Sequence, residues 1–299
     1  MDENLQVKVN RAIKLIQSAG KIAKEHGQPL EVAYSGGKDS DVILELTKMS
    51  GVDYRAIYNN TTIDPAGTIR HAQEMGAEIL RPKEGFFSLV ERMGFPNMFK
   101  RFCCGRLKEY KVLDYAVVGV RRDESRKRAD RYKEPEACRV YSKKSKCRQY
   151  YPILDWTAQD IADFVSDRGI KCHSLYYDDE GTFHPKRRLG CMGCPMLDKK
   201  RIEQFKSHPN LVKAWLRAGQ KYRDTHPNVK SVRAYNDVFE WFVRDVFYWR
   251  KSQEEWEEMN NNPLLPPPNY RKYLEDYFGI DLNSFTKNKV LYDYKGKIE

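Results

Sequence analysis

No stretch of the 299 residues is long and apolar enough to span a bilayer, which excludes a helical membrane protein and leaves no membrane partner to expect. The first residues, MDENLQVKVNRAIKLI, lack the apolar segment of an export signal. The expectation is a soluble, cytoplasmic protein, in which the seven cysteines are not expected to form disulfides. Two common phosphate-binding signatures are also missing. There is no G-x-x-x-x-G-K-[ST], which excludes a Walker A nucleoside triphosphatase, and no G-x-G-x-x-G, which excludes the usual dinucleotide fold. No internal repeat is present, so a solenoid is excluded. Acid is in deficit: 53 Lys and Arg against 42 Asp and Glu give a net charge of +11. That balance suits anionic partners, nucleotides or nucleic acid. The charge is bunched in RPKEGFF, KRFCCGRLKEYK, GVRRDESRKRADRYK and HPKRR, which favours an anion-binding cleft over a uniformly basic surface.

What is present reads as alternating strands and helices. Val9, Ile13, Ile16, Ile22 and Ala23 mark an amphipathic helix over 5–26. LEVAY is a short buried strand and DVILELTKMSG a helix closing at Gly51. YRAIY is a second strand, followed by a helix in IDPAGTIRHAQEMG and a strand in AEILRPK. A further strand is expected in YAVVGV, residues 115–120, followed by a loop-like 121–150. Thr157 and Asp160 give a capping-box pattern before TAQDIADFVSDRG. Residues 171–195 read as an irregular, cysteine-bearing loop. After about 200 the chain turns helical and aromatic, with a break at NNNPLLPPPN. The expected architecture is an α/β domain over 1–198, a three-layer fold around a parallel sheet, with a mostly helical region over 199–299.

Between the first strand and its helix lies Ser35-Gly36-Gly37-Lys38-Asp39-Ser40. The glycines let the backbone turn tightly and approach a ligand. The freed N–H groups and the helix N-terminus then form an anion site. Ser35 and Ser40 can donate to phosphate oxygens, and Lys38 adds a charge. An ordinary capped turn would not need the whole hexapeptide.

The hexapeptide resembles the PP-loop of the ATP pyrophosphatase superfamily, pattern SGGxDS, whose fold the expected architecture matches. The resemblance implies an adenine nucleotide with chemistry at its α-phosphate. Further segments resemble the phosphoadenosine phosphosulfate reductase family. Asn60-Thr61-Thr62-Ile63-Asp64-Pro65 lies where that family has an Asp-Thr-Gly segment, with the acid displaced. Gly119-Val120-Arg121-Arg122-Asp123-Glu124-Ser125 resembles its Gly-x-Arg-x-x-x-Ser run, and Tyr151-Pro152-Ile153-Leu154-Asp155-Trp156 its Pro-Leu-x-x-Trp. Carried over, the resemblance places Ser35, Gly36, Gly37, Lys38, Asp39, Ser40, Asn60, Thr61, Gly119 and Arg121 on the nucleotide. Lys38, Asp39, Arg121 and Arg122 become the catalytic candidates, with Asp39 orienting the loop or a Mg²⁺. Trp156 reads as core.

The cysteine spacing makes metal or cluster ligation the first hypothesis. Cys103-Cys104 with Cys191-x-x-Cys194 resembles the signature of the iron–sulfur sulfonucleotide reductases, which implies a [4Fe–4S] cluster on those four thiolates. Four thiolates also suit Zn²⁺, although adjacent cysteines are hard to place on one tetrahedral ion. Cys138 and Cys147, with Cys191 and Cys194, form an alternative set, and Cys172 reads as an unligated core thiol.

The family's reductases use a nucleophilic cysteine near the C-terminus, and here no cysteine follows Cys194. The resemblance extends over about 28–196. A related branch, the DNA phosphorothioation sulfurtransferases, shares the loop and the cluster without that tail. The expectation is an enzyme acting on ATP or an adenylyl-sulfate-type nucleotide in sulfur transfer or sulfonucleotide chemistry, with a sulfur or electron donor protein as partner. The rival readings are an ATP-dependent sulfurtransferase on DNA or RNA, and a nucleotide-sensing module without turnover.

Overall fold

The computed structural model describes residues 2–110, 112–142, 145–197, 199–247, 269–283 and 285. Helix α1 (Glu3–Glu25) opens at Asp2, whose carboxylate accepts from the Leu5 N–H at 2.7 Å. Its buried stripe of Leu5, Val9, Ala12, Ile16, Ala19 and Ala23 recurs every three to four residues and faces the sheet. Then follow β1 (Leu30–Tyr34), α2 (Lys38–Ser50), β2 (Tyr54–Asn59), α3 (Thr68–Glu74), β3 (Glu78–Leu80) and α4 (Phe86–Met93). After a π-helical turn at Cys104–Lys108 come β4 (Tyr115–Val118), α5 (Arg126–Arg131), β5 (Glu136–Ser142), β6 (Ser145–Tyr150) and α6 (Ala158–Arg168).

The six strands lie in the order β3-β2-β1-β4-β6-β5. All neighbours are parallel except β5, which runs antiparallel to β6 at the edge. The chain winds outward from β1 through β2 to β3, then returns to place β4 on the other flank of β1. The strand order reverses there, and the crevice beyond the C-terminal ends of β1 and β4 is where open α/β sheets bind ligands.

Two large hydrophobic cores form among the described residues, beside a small cluster of Val120, Tyr151 and Leu154. In one, Leu30, Val32 and Tyr34 of β1 pack with α1, α2 and α6. The other joins α4 and Met192 to Phe205 of α7 (Lys199–Ser207), α8 (Pro209–Thr225), Val232 of α9 (Lys230–Arg233), α10 (Val238–Trp241) and the helix Tyr270–Phe278. Trp215 and Phe242 are fully buried in it.

Most expected elements form, and the Thr157–Asp160 capping box is complete. One expectation is corrected. Residues 121–150 are not a loop: they carry α5 and the β5–β6 hairpin. Exposed β5 carries a largely polar edge, so apolar periodicity gave no sign of it. Beyond 199 the described chain is helical, as expected. Residues 248–268, holding the end of the second aromatic segment and the proline-rich break, lie outside the described residues. No helix among the described residues is long and apolar enough to cross a membrane.

Candidate functional site

The hexapeptide turns from β1 into α2 at the switch point. Gly36 takes φ +74°, a conformation that favours glycine, and a Cβ there would lie 2.8 Å from Thr68 Cγ2. The Gly37 carbonyl accepts from the Ser40 N–H at 2.8 Å and from the Ser40 hydroxyl at 2.6 Å. Ser35 Oγ donates to Ser40 Oγ at 3.2 Å. The loop is thus wound on itself at the positive end of α2.

Lys38, although charged, is buried, and its Nζ lies 2.7 Å from Asp39 Oδ2. The other Asp39 oxygen receives Arg121 Nε at 2.6 Å. Arg121 is buried and donates also to Asp123 at 3.2 Å and to the Trp156 carbonyl at 3.3 Å. Gly119 ends β4 against this group, where a Cβ would lie 2.9 Å from the Asp39 carbonyl oxygen. The structure therefore gathers Ser35, Gly36, Gly37, Lys38, Asp39, Ser40, Gly119 and Arg121 at one place. Arg122 turns elsewhere: it donates to the carbonyls of Tyr132 and Lys133 and pairs with Asp155. Those contacts brace the stretch before β5 rather than the phosphate loop, so Arg122 does not form the expected clamp.

Sequence reasoning missed the shell behind the loop. Asp41 is fully buried; it accepts from the Tyr34 hydroxyl at 2.5 Å and lies 3.0 Å from His71 Nε2. It ties α2 to β1 and α3. Tyr176 closes over the loop, with Lys38 Nζ 5.4 Å from its ring centre and its hydroxyl accepting from the Leu189 N–H. Burial raises the Tyr176 pKa, so it stays a neutral hydroxyl. Neither Asp41 nor Tyr176 belongs to a recognisable short motif; their role depends on tertiary contact. Cys172 is buried, and burial, with Asp41 nearby, raises its pKa.

Asn60 and Thr61 leave β2 toward a second feature. The Asn60 side-chain oxygen accepts from the Thr62 N–H at 2.7 Å, and the Thr61 N–H donates to Asp64 at 3.0 Å. Cys191 Sγ lies 3.7 Å from both Thr61 Oγ1 and Asp64 Oδ1. Thr61 thus abuts the cysteines. Cys103, Cys104, Cys191 and Cys194 line one cavity of about 30 Å³, walled by Ile63, Phe86, Leu107, Met192 and Trp215. A hydrogen bond from Cys103 lowers the Cys104 pKa, helped by Arg101, and raises that of Cys103. Burial pushes Cys191 up to about 12, opposed by the charge of Lys108. Lys108 Nζ also lies 3.8 Å from Asp64, so it spans from the thiols to the end of β2.

Among the described residues no three His, Cys, Asp or Glu are arranged to hold one metal ion. A [4Fe–4S] cluster takes each thiolate on a different iron, so its ligands surround a volume rather than a point, and the donor chemistry fits. The alternative set is not assembled. Cys138 and Cys147 stand on β5 and β6, offset by one residue in the hairpin register, and Cys147 lines a different cavity.

Two uncharacterised proteins of Methanocaldococcus jannaschii are 27% and 25% identical to the chain over 67% and 69% of its length. The chain covers 43% and 51% of those relatives, about half their length. Sulfate adenylyltransferase subunit 2 of Shewanella woodyi is 24% identical over 55% of this chain and 65% of its own. Among solved structures, a phosphoadenylyl-sulfate reductase from Candida auris in complex with phosphate matches 64% of this chain and 96% of its own, at 15% identity and a TM-score of 0.39. The family model for the phosphoadenosine phosphosulfate reductase domain matches residues 29–197, and the chain belongs to that family.

Proposed function

We propose that the chain binds an adenine nucleotide, ATP or an adenylyl-sulfate type, with its phosphates on the loop, and carries out sulfonucleotide or sulfur-transfer chemistry on it. The observation that carries this reading is the buried chain Lys38–Asp39–Arg121, set beneath a wound glycine loop at the switch point. Asp39 uses both carboxylate oxygens on these cations, which orients the loop. A phosphate seated there meets the N-terminus of α2, the Ser35 and Ser40 hydroxyls and the Lys38 ammonium. Such preorganised donors stabilise charge as it develops in the transition state. Cys103, Cys104, Cys191 and Cys194 would hold a [4Fe–4S] cluster, which supplies electron or sulfur chemistry when bound. Lys108 lies between those thiols and the end of β2 and can balance anionic charge on either side.

Isothermal titration with ATP, adenylyl sulfate and its 3′-phosphorylated form tests the ligand class. Binding of one of them, abolished in Lys38→Ala/Ser40→Ala, is the expected result; unchanged affinity in that variant would remove the loop from the site. Protein purified without oxygen should be brown, absorbing near ~400 nm. Colourless protein with stoichiometric zinc would overturn the cluster.

A second reading has its own observation. Arg81, Lys83 and Arg106 line an open cleft of about 370 Å³ with Leu107, whose other side walls the cysteine cavity. Among the described residues these three cations have no ion-pair partner, and Glu84, which also lines the cleft, pairs with Arg92. A basic cleft beside the thiols suits a nucleic-acid acceptor, as in an ATP-dependent sulfurtransferase. Pyrophosphate release that depends on added DNA or RNA would select that reading.

A further inference from the structure

The sheet carries a polar row where an interior parallel strand is ordinarily apolar. In the register, Glu31 of β1 stands beside Ala116 of β4, and Ala116 beside Gln149 of β6. Glu31 is 6% exposed and lines a cavity of about 180 Å³. One carboxyl oxygen accepts from the Leu113 N–H at 2.9 Å; the other has no hydrogen-bond partner among the described residues. The cavity leaves room for a ligand to complete the hydrogen bonding of this carboxyl. Gln149 is held from two sides: its amide donates to the Tyr141 hydroxyl at 3.2 Å and its oxygen accepts from Tyr151 at 3.2 Å.

The dimensions suit a flat ring. Glu31 and Gln149 are two strand spacings apart, about 10 Å, with only the methyl group of Ala116 between them. Tyr110 and Tyr141 add aromatic wall. The same cavity reaches Ser35, the first residue of the phosphate loop. Ser35 is four residues along the strand from Glu31, about 13 Å, a distance comparable with one extended nucleotide.

We propose that this cavity reads the base of the nucleotide whose phosphates lie on the loop, with Glu31 accepting a hydrogen bond from the 6-amino group of adenine. The inference rests on the nucleotide reading above and adds the element of specificity. An ionised carboxylate only accepts, so it matches the 6-amine, whereas purine riboside 5′-monophosphate carries only hydrogen at C6 and offers no donor there. A site built to hydrogen-bond one group rejects the analogue that lacks it. Burial holds the Glu31 carboxyl at about 7, so the measurement belongs at pH 8.5, where it is ionised.

The test titrates the full chain with AMP, purine riboside 5′-monophosphate and inorganic pyrophosphate. Wild type should bind AMP at least about tenfold more tightly than the 6-deamino analogue. Glu31→Gln keeps an oxygen for Leu113 but turns an amide donor toward the base, so the preference should vanish or reverse while pyrophosphate binding is kept. An unchanged AMP preference in this variant overturns the proposal, as does a wild type that binds both nucleotides alike. In both cases the nucleotide reading stands. Wild type binding none of the three would sink both. If Glu31→Gln loses pyrophosphate binding as well, Ala116→Leu decides. It fills the space between Glu31 and Gln149, and AMP should then bind no better than pyrophosphate; full AMP affinity would refute the slot.

Discussion

Asp39 shows how a single side chain can be committed before any ligand arrives. Its two oxygens are taken by Lys38 at 2.7 Å and Arg121 at 2.6 Å, all three groups being largely withdrawn from water. A charge pair in such a place is costly to break from one side, because the remaining charge is left buried. Glu31 is the opposite case, a carboxyl that burial disfavours in its charged form. Burial raises its pKa from the ordinary 4.5 to about 7, opposed by the Leu113 hydrogen bond and the charge of Arg55. Between those two pH values the folded chain holds the proton and the unfolded chain releases it. Folding is therefore favoured at the acidic end, and stability falls as pH rises from about 4.5 to 7, then levels off. The loss is at most about 3 kcal/mol for a shift of this size. Urea unfolding at intervals from pH 4.5 to 8 should show the slope in wild type and a flatter profile in Glu31→Gln. Parallel profiles would mean that Glu31 titrates normally.

Elements place these residues, and they differ in how openly the sequence declares them. The β1–loop–α2 unit was legible because a buried strand, two glycines and a polar helix start each have a local cause. The β5–β6 hairpin was not, since its exposed edge strand needs no apolar alternation and its polar residues resemble a loop. Arg121 and Arg122 stand side by side in sequence, yet one faces Asp39 and the other the stretch before β5. Their separation follows from the turn after β4, which sequence spacing cannot reveal. The cysteine pairs were legible as pairs, whereas the choice between partners required the fold. Gly119 tests the joint between two elements. Alanine there would set a Cβ 2.9 Å from the Asp39 carbonyl oxygen, and backbone cannot swing aside as a side chain does. The loop must shift by tenths of an ångström. The expected result for Gly119→Ala is a fold that loses about 1–3 kcal/mol and nucleotide binding weakened at least about tenfold. Wild-type affinity in this variant would show that the β4 end does not set the loop.

At the scale of the whole molecule, the helical region is more than a covering. Its core takes in α4 and Met192, and Trp215 of α8 both fills that core and walls the cysteine cavity. A Cβ on Gly193 would lie 2.8 Å from Phe205 and 3.1 Å from Trp215, so the Cys-x-x-Cys turn is pressed directly onto these rings. The family match ends at 197, yet the cavity of the thiols it contains is walled on one side by Trp215, which lies beyond it. Removing the indole therefore has two consequences with one origin. Trp215→Ala should cost about 3–5 kcal/mol of stability, as other large buried aromatics do when truncated. It should also open the thiols to solvent, since a cavity beside a surface cleft admits water once its apolar wall is gone. Thermal unfolding reads the first effect. The second is read under conditions where the variant stays folded, from the rate at which a thiol reagent labels Cys103, Cys104, Cys191 and Cys194. Labelling much faster than wild type is the expected outcome. If the variant is destabilised but labels at the wild-type rate, the helical region supports the fold without sealing the cysteine site.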